Sequence, residues 1–242
     1  MKEIRGIFPA LITPYHESGE VHEQSLRDLI DWNLAKGVHG FYVGGSTSEA
    51  FLLSHAERRR IVEIAIEQVA GRVPVIVHVG SIGTDVAIDL AEHAAEHGAD
   101  AVSAIPPFYY KFTIEEIKQY YRDIADAASL PVILYNFPAF SGVALDQRVA
   151  GDLFADERVV GIKHTSLDMY QLERMKTENP RIVVLNGHDE VFLSGLAAGA
   201  DGAVGSTYNF MAEIFVAIWD AFREGRLAES QRLQSSANSI ID

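Results

Sequence analysis

Eight short, β-branched runs, each followed by a longer stretch of helical character, recur along the whole chain. They occupy 6–13, 40–44, 75–79, 101–105, 132–136, 159–164, 182–186 and 202–205. Short runs this continuously apolar belong to parallel strands covered on both faces, where the apolar–polar alternation of a half-exposed strand is lost. Strand and helix in strict alternation imply an α/β fold, and eight units in 242 residues suit a closed (β/α)8 barrel, for which ~250 residues is typical. An open doubly wound sheet is the alternative. Such a fold places a glycine-rich turn after its first strand, and here Thr13-Pro14-Tyr15-His16 stands there instead. With no linker, low-complexity segment or charge block, a single domain over 1–242 is expected.

The helix borders agree with this reading. Ser54-x-x-Glu57 and Thr113-x-x-Glu116 fit the capping box, in which a hydroxyl and a carboxylate satisfy first-turn backbone donors. Gly37, Gly71 and Gly98 are placed to end helices in the left-handed conformation. Gly37-Val38-His39-Gly40, Gly98-Ala99-Asp100-Ala101 and Gly199-Ala200-Asp201-Gly202 form a weak internal repeat, each closing a helix and opening a strand.

Charge and cysteine content remove several function classes. Twenty Lys and Arg against 34 Asp and Glu give a net charge of −14, with no basic run for nucleic acid or an anionic membrane to grip. The absence of cysteine excludes disulfides, thiolate metal sites and a cysteine nucleophile. Lys2-Glu3-Ile4-Arg5-Gly6 carries charge where a signal peptide needs an apolar core, and no apolar run approaches bilayer length, so a cytoplasmic location is expected.

In a barrel, chemistry gathers where strands end and βα loops begin. The residues there form a ring rich in hydroxyls: Thr13, Tyr15, the segment 44–49, His78, 106–110, Tyr135, Asn136, 163–165, 187–190, Ser206 and Thr207. Lys163 stands out, as one of six lysines and the only one inside an apolar strand, where a partly dehydrated amine can attack a carbonyl. A lysine paired with a carboxylate at a strand end fits the same pattern. Tyr135 ends the preceding strand and is either a proton carrier beside Lys163 or a core-edge aromatic. The loop Gly44-Gly45-Ser46-Thr47-Ser48-Glu49 offers backbone N–H groups and hydroxyls to a carboxylate or phosphate, or is simply a tight turn. Gly202-Ala203-Val204-Gly205-Ser206-Thr207 has the position of a barrel phosphate site but no Lys or Arg beside it. His93-Ala94-Ala95-Glu96-His97 matches an H-x-x-E-H zinc pattern at the end of a helix facing away from the barrel mouth, and reads as a solvated helix face. His78 and His164, at strand ends, are the better placed metal candidates, although no carboxylate set accompanies them.

Six segments together resemble a known family. They are Gly44-Gly45-Ser46-Thr47 with Glu49-Ala50-Phe51; Pro107-Phe108-Tyr109-Tyr110; Tyr135-Asn136 with Pro138-Ala139 and Ser141-Gly142; Lys163 with Thr165-Ser166, Asp168 and Tyr170-Gln171; Asn186-Gly187 with Asp189-Glu190; and Gly205-Ser206-Thr207-Tyr208-Asn209. In order and over nearly the full chain, they are similar to the N-acetylneuraminate lyase branch of the pyruvate-dependent class I aldolases, the superfamily that includes dihydrodipicolinate synthase. The resemblance implies a (β/α)8 barrel in which Lys163 forms a Schiff base with pyruvate and Tyr135 transfers protons. It implies that Ser46 and Thr47 hold the pyruvate carboxylate, with Ser46 counted among the catalytic groups, and that Thr165 positions the reacting hydroxyl. Gly187, Asp189, Glu190 and Ser206 would bind the hydroxylated chain of an amino sugar. Tyr109 would act in the neighbouring subunit of a homodimer or homotetramer. Neither cofactor nor metal is implied.

Departures from the family pattern refine these expectations. Phe140 occupies the position where synthases of the dihydrodipicolinate type carry an arginine for a second substrate carboxylate, which favours a neutral polyol. Ser48 replaces a glycine, and strain is expected if that position needs a positive φ. Leu167 and His188 alter the sugar side and leave a related sugar acid as an alternative, while Ser48 and the missing C-terminal helices leave a noncatalytic sugar-acid or pyruvate binding barrel as another. The family's C-terminal helical extension has no counterpart after 233–242, and an apolar surface is expected to be left bare there.

Overall fold

The computed structural model describes residues 2–242, so Met1 of the expected 1–242 domain lies outside the described residues. Eight strands form one parallel sheet: β1 (Gly6–Pro9), β2 (Phe41–Val43), β3 (Val75–His78), β4 (Ala101–Ala104), β5 (Val132–Asn136), β6 (Val159–His164), β7 (Val183–Asn186) and β8 (Gly202–Gly205). Around them run α1 (Glu23–Ala35), α2 (His55–Val69), α3 (Thr84–Glu96), α4 (Ile114–Ala128), α5 (Pro138–Ser141), α6 (Gln147–Phe154), α7 (Met169–Glu178), α8 (Phe192–Ala197), α9 (Tyr208–Arg223) and α10 (Leu227–Ile241). The strand order β1-β8-β7-β6-β5-β4-β3-β2 closes through an isolated parallel bridge between Ala10 and Tyr42. The fold is therefore the (β/α)8 barrel. Among the described residues no helix is long and apolar enough to cross a membrane.

Two apolar layers hold it together. Strand residues such as Val43, Val77, Val102, Leu134, Ile162 and Val184 pack outward on the helices. Inside the barrel lies a smaller cluster of Phe8, Tyr42, Ile76, Ala101, Ile133, Tyr135, Leu185 and Val204. Ser54 and Thr113 both form complete capping boxes, and Gly37, Gly71 and Gly98 take positive φ as expected. The glycines at 202 and 205 serve packing rather than phosphate. A Cβ on Gly202 would stand 2.2 Å from the Gly6 carbonyl oxygen, and one on Gly205 would stand 2.1 Å from the Asp189 carboxylate.

The first strand is shorter than the 6–13 run suggests. Beyond Pro9 the chain stays beside the sheet, but its donors diverge: Ala10 N–H goes to Gly205 O, Leu11 N–H to Tyr42 O and Ile12 N–H to the Asn209 side chain. Three different acceptors cannot form one ladder, so the strand ends. At the other end of the chain, α10 packs on α9 and on the turn after β7. Gln234 donates to Asp189 O and accepts from Leu193 N–H, and Asn238 donates to Glu190 O. Ile240 and Ile241 keep part of their apolar surface exposed.

Candidate active site

At the C-terminal ends of the strands a cavity of about 270 Å³ is lined by Ser46, Thr47, Tyr135, Lys163, Thr165, Gly187, Asp189, Glu190 and Ser206. Every residue to which the resemblance assigns a role lines it except Tyr109, whereas Thr13, Tyr15, His78 and Asn136 of the wider ring do not. Phe137, His188, Val204, Thr207 and Ile241 complete the wall. A larger cavity of about 460 Å³ lies at the opposite end of the barrel, but its cations are already engaged: Lys2 with Asp100, Arg5 and Lys176 with Asp201, and Arg181 with the carbonyls of Asp156 and Val159. Size therefore does not locate the chemistry here; the polar ring does.

β5 and β6 place the two central groups side by side, because Tyr135 pairs with Lys163 in the sheet register. Lys163 is buried, with its Nζ 4.1 Å from the centre of the Tyr135 ring and 4.5 Å from that of Tyr42. Nζ thus sits over both rings in the corner of an edge-to-face pair whose centres are 6.1 Å apart, and each ring quadrupole attracts a cation there. Among the described residues no carboxylate lies within ion-pairing distance of it, so the strand-end ion pair is not what forms. Tyr42 was invisible as a site residue because it sits in an apolar run that reads as core. Its hydroxyl lies 3.0 Å from that of Ser103, and burial pushes its phenol well above the ordinary value.

The floor and far wall of the cavity are polar. Thr165 is buried, and its hydroxyl has no hydrogen-bond partner among the described residues. A buried hydroxyl left unpaired costs about 1–3 kcal/mol, so a ligand that pairs with it gains that much. Gly187 makes room for it, since a Cβ there would stand 2.0 Å from Thr165 Oγ1. Thr47 and Ser206 hydroxyls lie 2.6 Å apart across the mouth. Asp189 is held by Thr207, which donates through its N–H at 2.9 Å and its hydroxyl at 2.7 Å. Burial nevertheless raises the Asp189 carboxyl above the ordinary range, with the two Thr207 donors opposing that rise. Across Ser46 the cavity adjoins an apolar groove of about 240 Å³ lined by Phe51, Leu52, Ile105, Phe108 and Phe140.

Several expectations are corrected. Ser48 is not strained: it closes the short 3-10 turn Ser46–Ser48, and the positive φ values of this loop fall on Gly44 and Glu49. Its buried hydroxyl donates to Leu11 O at 2.5 Å and accepts from Gly44 N–H at 3.1 Å. His78 and His164 are not metal ligands, because both nitrogens of each ring are occupied. His78 donates from Nδ1 to Gly44 O and accepts at Nε2 from Ile105 N–H. His164 accepts at Nδ1 from Asn136 and donates from Nε2 to Asp168 O. Burial, reinforced by the Arg58 charge, depresses His78 to about 3. Arg58 is itself buried, donates to the carbonyls of His78 and Gly80, and is lowered by burial to about 10. His93 is not on a solvated face: it is buried against Glu63 of α2, while Glu96 and His97 are exposed. Tyr109 is 83% exposed at φ 75° and does not reach the cavity of its own chain.

Residues 3–242 match the dihydrodipicolinate synthetase family. The chain belongs to this family. A curated family relative, the N-acetylneuraminate lyase of Citrobacter koseri, is 46% identical over 242 residues, which is 100% of this chain and 82% of the relative. Among solved structures, CdNal from Clostridium difficile in complex with mannosamine superposes with a TM-score of 0.97 at 38% identity, covering 99% of this chain and 83% of that one. YagE, an E. coli K12 prophage protein of the dihydrodipicolinic acid synthase family in complex with pyruvate, gives 0.95 at 32% identity, with 98% and 81% covered.

Proposed function

We propose that the chain is a Schiff-base aldolase that reversibly cleaves N-acetylneuraminate to N-acetylmannosamine and pyruvate. The observation that carries this is a buried lysine amine, without a carboxylate partner among the described residues, set over two tyrosine rings in a cavity rich in hydroxyls and carboxylates. The relatives support both halves of the substrate: mannosamine is bound by a close structural neighbour, and pyruvate by a more distant member of the family.

In the cleavage direction, Lys163 Nζ attacks the C2 carbonyl of the open-chain sugar acid, and loss of water gives an iminium. Tyr135 gives its phenolic proton to the departing water as the iminium forms; as phenolate it then takes the proton of the C4 hydroxyl, the C3–C4 bond breaks, and its electron pair moves into the iminium to form an enamine. The aldehyde leaves, Tyr135 passes the proton to C3, and water releases pyruvate and restores the amine, its surplus proton returning to the phenolate. Ser46 and Thr47 hold the carboxylate, freeing Thr47 from its bond to Ser206. Thr165 pairs its orphan hydroxyl with the C4 oxygen, and Gly187, Asp189, Glu190 and Ser206 receive the polyol. Because Asp189 is already anchored by Thr207, it meets substrate hydroxyls without reorganising. Tyr109 is assigned to the cavity of a second copy, which its exposure permits. Phe140 offers no cation, so an aldehyde bearing a carboxylate is disfavoured. A related sugar acid is the second reading, favoured by His188, whose ring lines the cavity 3.5 Å from Glu190.

Reduction with borohydride in the presence of pyruvate, followed by peptide mass spectrometry, tests the chemistry. The adduct is expected on Lys163 and absent from Lys163→Ala; an adduct on any other lysine, or none from an active sample, refutes the assignment. Competition among N-acetylmannosamine, glyceraldehyde and aspartate semialdehyde tests the substrate, with N-acetylmannosamine expected to lead.

A further inference from the structure

Away from the cavity, α2 and α3 bring together a carboxylate and two imidazoles that the aldol chemistry does not use. We propose that Glu63, His93 and His97 form a binding site for a divalent cation of the zinc class on the outer helical layer. One ligand atom from each of the three lies within 4.8 Å of the other two. Glu63 Oε1 and His93 Nε2 are 3.2 Å apart, and two donors on one tetrahedral zinc, each at ~2.0–2.2 Å, stand roughly 3.3–3.5 Å from one another. That pair is already at ligand spacing. His97 is one helical turn from His93, on the same face, with the ring centres 4.1 Å apart. Because His97 is exposed, a side-chain rotation brings it the remaining distance.

The surroundings orient these groups as the outer partners of metal ligands do. His97 Nδ1 lies 2.9 Å from the His93 carbonyl, an oxygen that can only accept, so Nδ1 carries the ring proton and Nε2 the lone pair. Arg60 engages Glu63 Oε2 at 2.8 Å and leaves Oε1 facing His93. The Arg60 charge is shared with Glu23, and that of neighbouring Arg59 with Asp89, so the cations nearby are compensated. When an ion enters, the His93 proton passes to Nδ1 through solvent exchange, and Nε2 and Glu63 Oε1 turn from each other to the metal. Two imidazoles and a single carboxylate select zinc over magnesium or calcium, which prefer all-oxygen sets. Water fills the fourth position. The site lies at the end of α3 that leads into the start of β4, the end of the barrel opposite the cavity. Its ion ties α2 to α3 and takes no part in the reaction.

The test is calorimetric titration of chelator-dialysed protein with zinc chloride, with thermal melting in parallel. One saturable zinc per chain is expected, together with a rise in Tm. His97→Ala removes an exposed ring and is expected to melt like the wild type without zinc, to bind zinc at least ~10-fold more weakly, and to lose the zinc-dependent rise in Tm. Glu63→Gln is expected to weaken binding similarly, and imine trapping with pyruvate is expected to be unchanged in both. His16 and His22 form another paired set of imidazoles, with ring centres 4.0 Å apart, and His16→Ala serves as the control. Absence of saturable binding, wild-type affinity in His97→Ala, or loss of affinity in His16→Ala overturns the proposal.

Discussion

Replacing Ser48 by alanine removes one oxygen atom and breaks two bonds that join different parts of the barrel. Ser48 Oγ reaches back to Leu11, just past β1, and also receives the Gly44 N–H at the entrance to the carboxylate loop. The residue is 1% exposed, so water does not replace the lost partner. Each buried group left unpaired costs about 1–3 kcal/mol. With partial relaxation of the loop the sum is about 3 kcal/mol, and at about 2–4 °C per kcal/mol for a chain of this size the fall in Tm is about 6–12 °C. The loss should also reach function, because Gly44 and Ser48 flank Ser46 and Thr47. The KM for pyruvate in condensation is expected to rise several-fold while kcat changes little. Circular dichroism melts and steady-state assays read both effects. A fall in Tm below about 2 °C, or a loss confined to kcat, would refute the view that Ser48 shapes the loop.

Four further outcomes are expected. Tyr135→Phe keeps borohydride trapping of pyruvate but loses about 10²–10⁴-fold in turnover, as removal of an acid–base group commonly does; near-normal turnover excludes the phenol from the mechanism. His78 is held neutral when folded, down to about 3, and protonates near 6.5 when unfolded. Its contribution to stability is therefore complete above about pH 6.5 and is lost as pH falls toward 3, at about 1.4 kcal/mol per pH unit, and chemical denaturation of His78→Gln should show a shallower acid limb by that slope. Phe140→Arg should raise kcat/KM for aspartate semialdehyde relative to N-acetylmannosamine; no change in that ratio removes Phe140 from substrate choice. Chelator treatment should leave turnover intact, since the iminium supplies the electron sink, and abolition by chelator with restoration by zinc refutes the Schiff-base route.

What could be read from the sequence is whatever a barrel writes locally. Strands β5, β6 and β8 coincide with their apolar runs, and both capping boxes form, because the residues that decide them lie within a few positions of one another. Most of the cavity was legible for the same reason: each βα loop contributes a contiguous motif, and the fold gathers those motifs at one end. What stayed hidden depends on side-chain direction across long separations. Tyr42 and Lys163 meet inside the barrel from strands on opposite sides of its circuit, and an apolar run does not reveal that one of its rings faces an amine. His78 looked like a ligand because its two backbone partners lie 34 and 27 residues away. His93 looked solvated because Glu63, which buries beside it, belongs to the preceding helix. Ser48 looked strained because a residue comparison carries no φ, whereas the structure moves the left-handed position to Glu49.

The closure between β1 and β2 bears on how such a chain comes to be assembled. β1 forms its ladder with β8, pairing Gly6 with Gly202, whereas to β2 it offers one bridge and a few flanking bonds. Joining points about 200 residues apart costs about 1.6 kcal/mol more in chain entropy than joining neighbouring strands some 34 residues apart. During synthesis the first strand therefore waits, with its hydrogen-bonding edge open, until the last strand has left the ribosome. In that interval two raw edges are available to other nascent chains, and neither the cavity nor any ligand for it can help to hold the structure shut. Substrate can stabilise this protein only after the chain has met its own beginning.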